Sequence, residues 1–180
     1  MRLPFTQVDA FADGAFTGNP AAVMFLERWL PDSVLQGIAA DNNLSETAFL
    51  VAHDGAEADF ELRWFAPKLE VALCGHATLA SGHVVLDALP DLPLARFLTR
   101  QAGLLTVARD GDGDGLAMRL PALPANRPVT QAEESAVSAA LGTLPVEVWA
   151  RGHDYLVAVF DSPDEVRSLQ PDFAAIRWRS

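Results

Sequence analysis

The chain has 180 residues, half of them hydrophobic, a formal net charge of −11 and one cysteine. That length fits one ordinary domain, or one domain and part of another, and its apolar runs are too short to cross a bilayer. The acidic balance argues against nucleic acid or an anionic membrane as partner, leaves room for a small anionic metabolite held by local donors, and the lone cysteine excludes an internal disulfide framework.

Residues 3–11 have β character and end at Asp13-Gly14, a turn signal. Residues 21–26 form a short apolar run that predicts a buried strand. Pro31-Asp32-Ser33 opens a helix that runs to about Asp41, with Val34, Leu35, Ile38 and Ala39 on one face. Residues 47–52 read as a strand, His53-Asp54-Gly55 as a turn, and residues 60–65 as a half-buried strand in which apolar and polar side chains alternate. Residues 75–89 give the longest helical pattern, small and apolar on every side: Ala77, Leu79, Ala80, Val84, Val85, Leu86. Such a helix belongs inside a wrap of sheet. Pro90-Asp91-Leu92-Pro93 ends it.

Residues 96–101, 104–109 and 116–120 predict three antiparallel strands. The glycine–aspartate run at 111–115 reads as the hairpin loop before the last, because it is short and lacks the distant glutamate of an EF-hand. Three prolines in 121–128 mark a linker. A helix over 131–141, strands over 146–150 and 155–160 and a short helix from Pro163 follow. The expected organisation is a domain over 1–120, a linker over 121–128 and a partial second domain over 129–180. That tail is too small to bury a core alone. Its residues Val146, Val148, Leu156, Val157 and Val159 need cover, so a homo-oligomer is expected.

Two runs carry chemistry. In Asn42-Asn43-Leu44-Ser45-Glu46-Thr47-Ala48-Phe49, a carboxylate stands where an apolar strand begins; partial desolvation there would raise its pKa and suit it to proton transfer. A solvated or capping glutamate is the plainer reading. In Leu73-Cys74-Gly75-His76-Ala77-Thr78-Leu79-Ala80-Ser81, a glycine and an imidazole open the buried helix. Its free N–H groups and positive dipole end suit a carboxylate, and Gly75 admits a ligand close to the backbone. The plainer reading of His76 is a satisfied core histidine. A helix N-terminus would lower the pKa of Cys74, whereas an apolar-flanked cysteine is ordinarily inert core. Cys74 and His76 have no second pair at ligand spacing, so no metal site is expected. His53 and His153 read as structural or solvated. The glycine-rich run from Gly14 to Pro20 lacks the Lys-Ser/Thr of a P-loop.

Five motifs in order resemble the phenazine-biosynthesis-like, PhzF-type family: Val8-Asp9-Ala10-Phe11, Phe16-Thr17-Gly18-Asn19-Pro20-Ala21-Ala22-Val23, Asn43-Leu44-Ser45-Glu46-Thr47-Ala48-Phe49, Arg63-Trp64-Phe65-Ala66-Pro67 and Leu73-Cys74-Gly75-His76-Ala77-Thr78-Leu79-Ala80. The resemblance extends weakly through His153-Asp154-Tyr155-Leu156-Val157 and Leu169-Gln170-Pro171-Asp172-Phe173. It implies an α+β, diaminopimelate-epimerase-like fold, each half a curved sheet around a central helix, with the site between the halves. It implies proton shuttling without a cofactor on a small carboxylate-bearing metabolite, the isomerisation of a dihydro-hydroxyanthranilate being the named example. Glu46 falls on the family's general acid/base; Ser45, Gly75 and His76 fall on substrate-contacting positions; Cys74 lies near where related epimerases carry a catalytic thiol. Family members continue past Phe173 to a motif like Glu-Asp-Pro-Val-Thr-Gly-Ser-Ala that supplies the facing wall. Its absence here implies a C-terminally shortened chain with the second half incomplete. The expectation is therefore a cytoplasmic isomerase or epimerase half-site. The alternative is an inactive remnant acting only through association with another chain.

Overall fold

The short apolar runs of the first 120 residues pair into one eight-stranded sheet. In the computed structural model of the chain, residues 2–15, 17–111, 115–152 and 155–175 are described. The strands are β1 (Thr6–Ala10), β2 (Asn19–Leu26), β3 (Glu46–Ala52), β4 (Phe60–Phe65), β5 (Glu70–Val71), β6 (Leu94–Thr99), β7 (Leu104–Arg109) and β8 (Leu116–Arg119). Their spatial order is β1-β2-β3-β4-β6-β7-β8, with β5 added to β4. β2–β3 and β4–β6 run parallel and the other neighbours antiparallel.

The sheet curls around helix α2 (Gly75–Ala88), which lies against β1, β2, β3, β6, β7 and β8. Helix α1 (Asp32–Asn42) connects β2 to β3 and packs against β3 and β4. Strand alternation separates two cores. Ala48, Leu50, Leu62 and Trp64 join Ala77, Ala80 and Leu86 of α2 in one. Phe49 and Phe65 join Leu35 and Ala39 of α1 in the other. β3 is covered on both faces, which is why residues 47–50 are buried without a break.

Three expectations need correction. Val34 is exposed, because the core side of α1 rests on the narrower Leu35–Ala39 stripe. α2 is not sealed on every side: Leu79 and Val84 are only partly buried. With His83, Leu79 lines a groove of about 450 Å³ between the β1 and β8 edges, where the curled sheet does not close. Strand β4 is not half-exposed either. Arg63 is 3% exposed. Its Nε and one terminal nitrogen donate to the two Glu70 carboxylate oxygens at 2.8 and 2.7 Å, and that terminal nitrogen also donates to Asp32 at 2.9 Å. The rings of Trp29 and Phe65 lie 5.0 Å from the guanidinium. Bidentate pairing and aromatic cover make burial of this charge tolerable. Its main partner, Glu70, sits on the two-residue β5, too short to show a periodicity.

The chain divides into two compact units, Met1–Pro121 and Ala122–Ser180. The second contains α3 (Gln131–Leu141), the hairpin β9 (Glu147–Arg151) and β10 (Tyr155–Val159), and α4 (Pro163–Ser168). A capping box between Thr130 and Glu133 starts α3. Both terminal nitrogens of Arg127 donate to the Glu133 carboxylate at 2.7 Å. The expected single apolar face of this unit is wrong for a geometric reason: Leu156 and Val157 are neighbours on a strand and point to opposite sides. Leu156 pairs with the buried Ala150, while Val157 pairs with Trp149 on an exposed face. Phe16, the loop centre 112–114, His153, Asp154 and residues 176–180 lie outside the described residues. Among the described residues no helix is long and apolar enough to cross a membrane.

Gly82 of α2 offers a direct test of the helix-in-sheet packing. A Cβ there would fall 2.5 Å from Cβ of Val107 on β7. Gly82→Ala should destabilise the fold by about 1–3 kcal/mol through overpacking. Gly37→Ala on α1, where nothing lies within 4 Å, should stabilise it by about 0.5–1 kcal/mol. Urea unfolding of both variants checks the contrast, and equal effects would contradict the packing described.

A second test concerns the second unit. The Arg127 guanidinium, aided by the Thr130 N–H, holds the Glu133 carboxyl well below the usual carboxylate range. A lowered folded-state pKa stabilises the folded form above the unfolded carboxyl's pKa of about 4.3, and the contribution fades as pH falls through the folded value. The stability gap between wild type and Glu133→Gln should therefore be constant near neutrality and shrink below about pH 4. Circular dichroism across that range reads it, and a gap that widens in acid would refute the assignment.

Candidate functional site

Two strand ends and one helix end bring the sequence-selected residues together. Parallel pairing of β2 with β3 sets Ala21 opposite Glu46, so Ser45 and Glu46 stand beside the start of β2. Cys74 is extended and acts as the N-terminal boundary of α2, after which Gly75, His76 and Ala77 form the first turn. First-turn N–H groups have no partner within their own helix. Thr78 closes that turn twice on the Cys74 carbonyl, from its N–H at 3.2 Å and from its hydroxyl at 2.6 Å. A methyl at Gly75 would make only ordinary contact, 3.7 Å, with Met118 and Leu120.

Glu46 Oε2 lies 3.2 Å from His76 Nε2, and the two side chains are 18% and 11% exposed. Ser45 Oγ stands 3.4 Å from the same nitrogen. That hydroxyl donates to Asn19 Oδ1 at 2.8 Å or to the Pro20 carbonyl at 3.1 Å. On the other side of the ring, Cys74 Sγ is 3.4 Å from His76 Nδ1. Ser45, Glu46, Cys74, Gly75 and His76 thus form one cluster. Asn19 and Thr78 were not singled out from sequence. Asn19 lies inside the Gly18-Asn19-Pro20 run, whose order alone does not reveal a hydrogen bond to Ser45 some 26 positions on.

Of the two effects weighed for Cys74, the apolar surroundings outweigh the helix end. Burial pushes the thiol up to about 12; the Ala77 N–H opposes this, and the nearby Glu46 carboxylate adds to it. Proximity to the helix end is real but desolvation outweighs it.

Glu46, Cys74 and His76 each offer a ligand atom within 4.8 Å of the others, a grouping that sequence spacing did not show. Their closest approaches to the imidazole use different nitrogens, Nε2 for Glu46 and Nδ1 for Cys74. The arrangement suits hydrogen bonding through the ring better than convergence on a metal.

A curled sheet around a helix whose first turn carries an imidazole, with a β3 carboxylate beside it, is an epimerase-like α+β fold. A predicted epimerase of Pseudomonas aeruginosa has the same fold at a TM-score of 0.56 and 21% identity, covering 80% of this chain and 51% of its own. A PhzF-family protein of Enterococcus faecalis superposes with a TM-score of 0.77 at 38% identity, over all of this chain and 65% of its own. An uncharacterized isomerase of Pseudomonas aeruginosa is 50% identical over 178 residues, 98% of this chain and 64% of its own length. The profile of the phenazine biosynthesis-like protein family matches residues 8–179, and the chain belongs to that family. It spans about two thirds of the length of these full relatives.

The raised Cys74 pKa has a direct chemical consequence. At pH 8 iodoacetamide should label Cys74 about 10³-fold more slowly than a free cysteine of ordinary pKa, because so little thiolate is present. Glu46→Gln removes a charge that opposes thiolate and should raise the rate. Labelling of the wild type as fast as glutathione at pH 8 would overturn this account.

Proposed function

We propose that this chain carries the acid/base half of a cofactor-independent isomerase or epimerase, with Glu46 moving a proton on a small carboxylate-bearing metabolite. The observation that carries the reading is Glu46 Oε2 placed 3.2 Å from His76 Nε2 at the opening turn of α2. The helix end and the imidazole supply donors for an anionic group. The carboxylate supplies the proton carrier beside it. Gly75 fits the same role, since neither crowding nor a positive φ requires glycine there. Ser45, Gly75 and His76 contact the substrate in this reading, and Cys74, held as thiol, lines the site. Family membership supports isomerase chemistry in general, and the named relatives leave the substrate open.

Proton transfer is directly observable. Incubation in D₂O with a panel of small chiral and unsaturated carboxylates should introduce deuterium at the carbon next to the carboxyl or along the conjugated chain, read by proton NMR. With a substrate found this way, Glu46→Gln should slow exchange by about 10²–10⁴-fold without loss of fold. Exchange unchanged in that variant would exclude Glu46 as the acid/base.

Association of the chain with itself belongs to the same proposal. Trp149, Tyr155 and Val157 share one exposed face of the β9–β10 hairpin. A face of this kind favours pairing with a second copy. Sedimentation equilibrium at micromolar concentration should show a dimer or larger species, weakened by Trp149→Lys with Val157→Lys. A strict monomer would refute it.

A further inference from the structure

Ser45, His76 and Glu46 have the residue types of a nucleophilic serine with its base and acid. Their hydrogen-bond directions run the other way. Ser45 has one hydroxyl hydrogen and three acceptors within reach: Asn19 Oδ1 at 2.8 Å, the Pro20 carbonyl at 3.1 Å and His76 Nε2 at 3.4 Å. The two shorter contacts are both on β2, and the shorter, to Asn19, takes the hydrogen. Toward the imidazole, Ser45 Oγ then presents only lone pairs. The second group facing Nε2 is Glu46 Oε2 at 3.2 Å, and an ionised carboxylate only accepts. A neighbour that offers only lone pairs toward Nε2 favours a proton on that nitrogen. The remaining nitrogen, Nδ1, faces Cys74 Sγ at 3.4 Å. The Cys74 thiol has two acceptors within reach, this nitrogen and the Glu46 carboxylate.

We infer that Asn19, acting through Ser45, keeps a proton on Nε2 of His76. His76 then serves the site as a hydrogen-bond donor, Ser45 is not a nucleophile, and Asn19 is a positioning residue. For the chemistry proposed above the consequence is a division of labour. Nε2–H is presented to an oxygen of the substrate that gains negative charge, and Glu46 is left as the group that takes the proton from carbon. A site needing His76 as base would require Nε2 bare, and the acceptors of β2 and β3 oppose that state.

The tautomer can be measured without any substrate, so failure here is distinguishable from failure of the isomerase reading. Long-range ¹H–¹⁵N correlation spectra of the ¹⁵N-histidine-labelled chain at pH 8, assigned with His76→Gln, should show Nε2 of His76 protonated. Asn19→Ala returns part of the Ser45 hydroxyl to the ring and should shift His76 toward a mixture of tautomers. Asn19→Asp keeps an acceptor and should restore the wild-type spectrum. Phenylmethylsulfonyl fluoride should leave Ser45 unmodified by mass spectrometry. A bare Nε2 in the wild type, or sulfonylation of Ser45, would overturn the inference. Identical His76 spectra in wild type and Asn19→Ala would remove Asn19 from the role.

Discussion

Gly82 and Val107 meet so closely that an added methyl has no room, and this contact shows the constraint under which the first unit is built. A helix enclosed by a curled sheet must be thin. Ala77, Thr78, Ala80, Ser81 and Gly82 are its buried small residues, and Val85 and Leu86 fill the far end. Large side chains along α2 would hold the strands apart and open the curl. The hydroxyls of Thr78 and Ser81 survive burial by bonding back to the carbonyls of Cys74 and Ala77 at 2.6 and 2.7 Å. The position of the α2 N-terminus, and hence of His76, is set by this packing rather than by loop geometry.

Much of the fold was legible because it is local. Residues 104–109 and 131–141 match the observed strand and helix residue for residue. Gly75 opens α2 as its glycine–histidine start suggested. What the sequence did not show depends on distant partners. Arg63 reads as an outward polar position until Glu70 and Asp32 are placed around it. Val157 reads as core until pairing with Trp149 puts it on the outer side. The candidate site divides the same way. The motifs named Ser45, Glu46, Cys74, Gly75 and His76, but their proximity came from resemblance to a family, because no spacing rule joins position 46 to position 76. The apolar flanks of Cys74 pointed to burial, but the approach of Glu46 that adds to its raised pKa is a tertiary fact.

The two cores differ in kind. Around α2 the contacts join small helix residues to aliphatic side chains, Trp64 and Phe97. Around α1 they are aromatic and charged: Phe49 and Phe65 meet edge to face at 5.7 Å, and Arg63 is held between Trp29 and Phe65. The outer layer pins β3 and β4 together from behind. Glu46 at the head of β3 is therefore supported on the side away from the helix by a network that touches none of the site residues.

The pairing of β2 with β3 carries one more implication. Side chains alternate along a strand, so Glu46 shares the helix side with Ala48 and Leu50 while Thr47 and Phe49 face the other way. The run from α1 into β3 is thus constrained in parity. One residue gained or lost between Asn43 and Glu46, if absorbed as a shift of β3, would carry the carboxylate to the outer layer and bring its neighbour to the imidazole. Two would return a side chain to the inner face but one strand step away from His76. The short link between helix and strand works as a ruler, and length variation in this family should be scarce there even where the residues themselves are free to change.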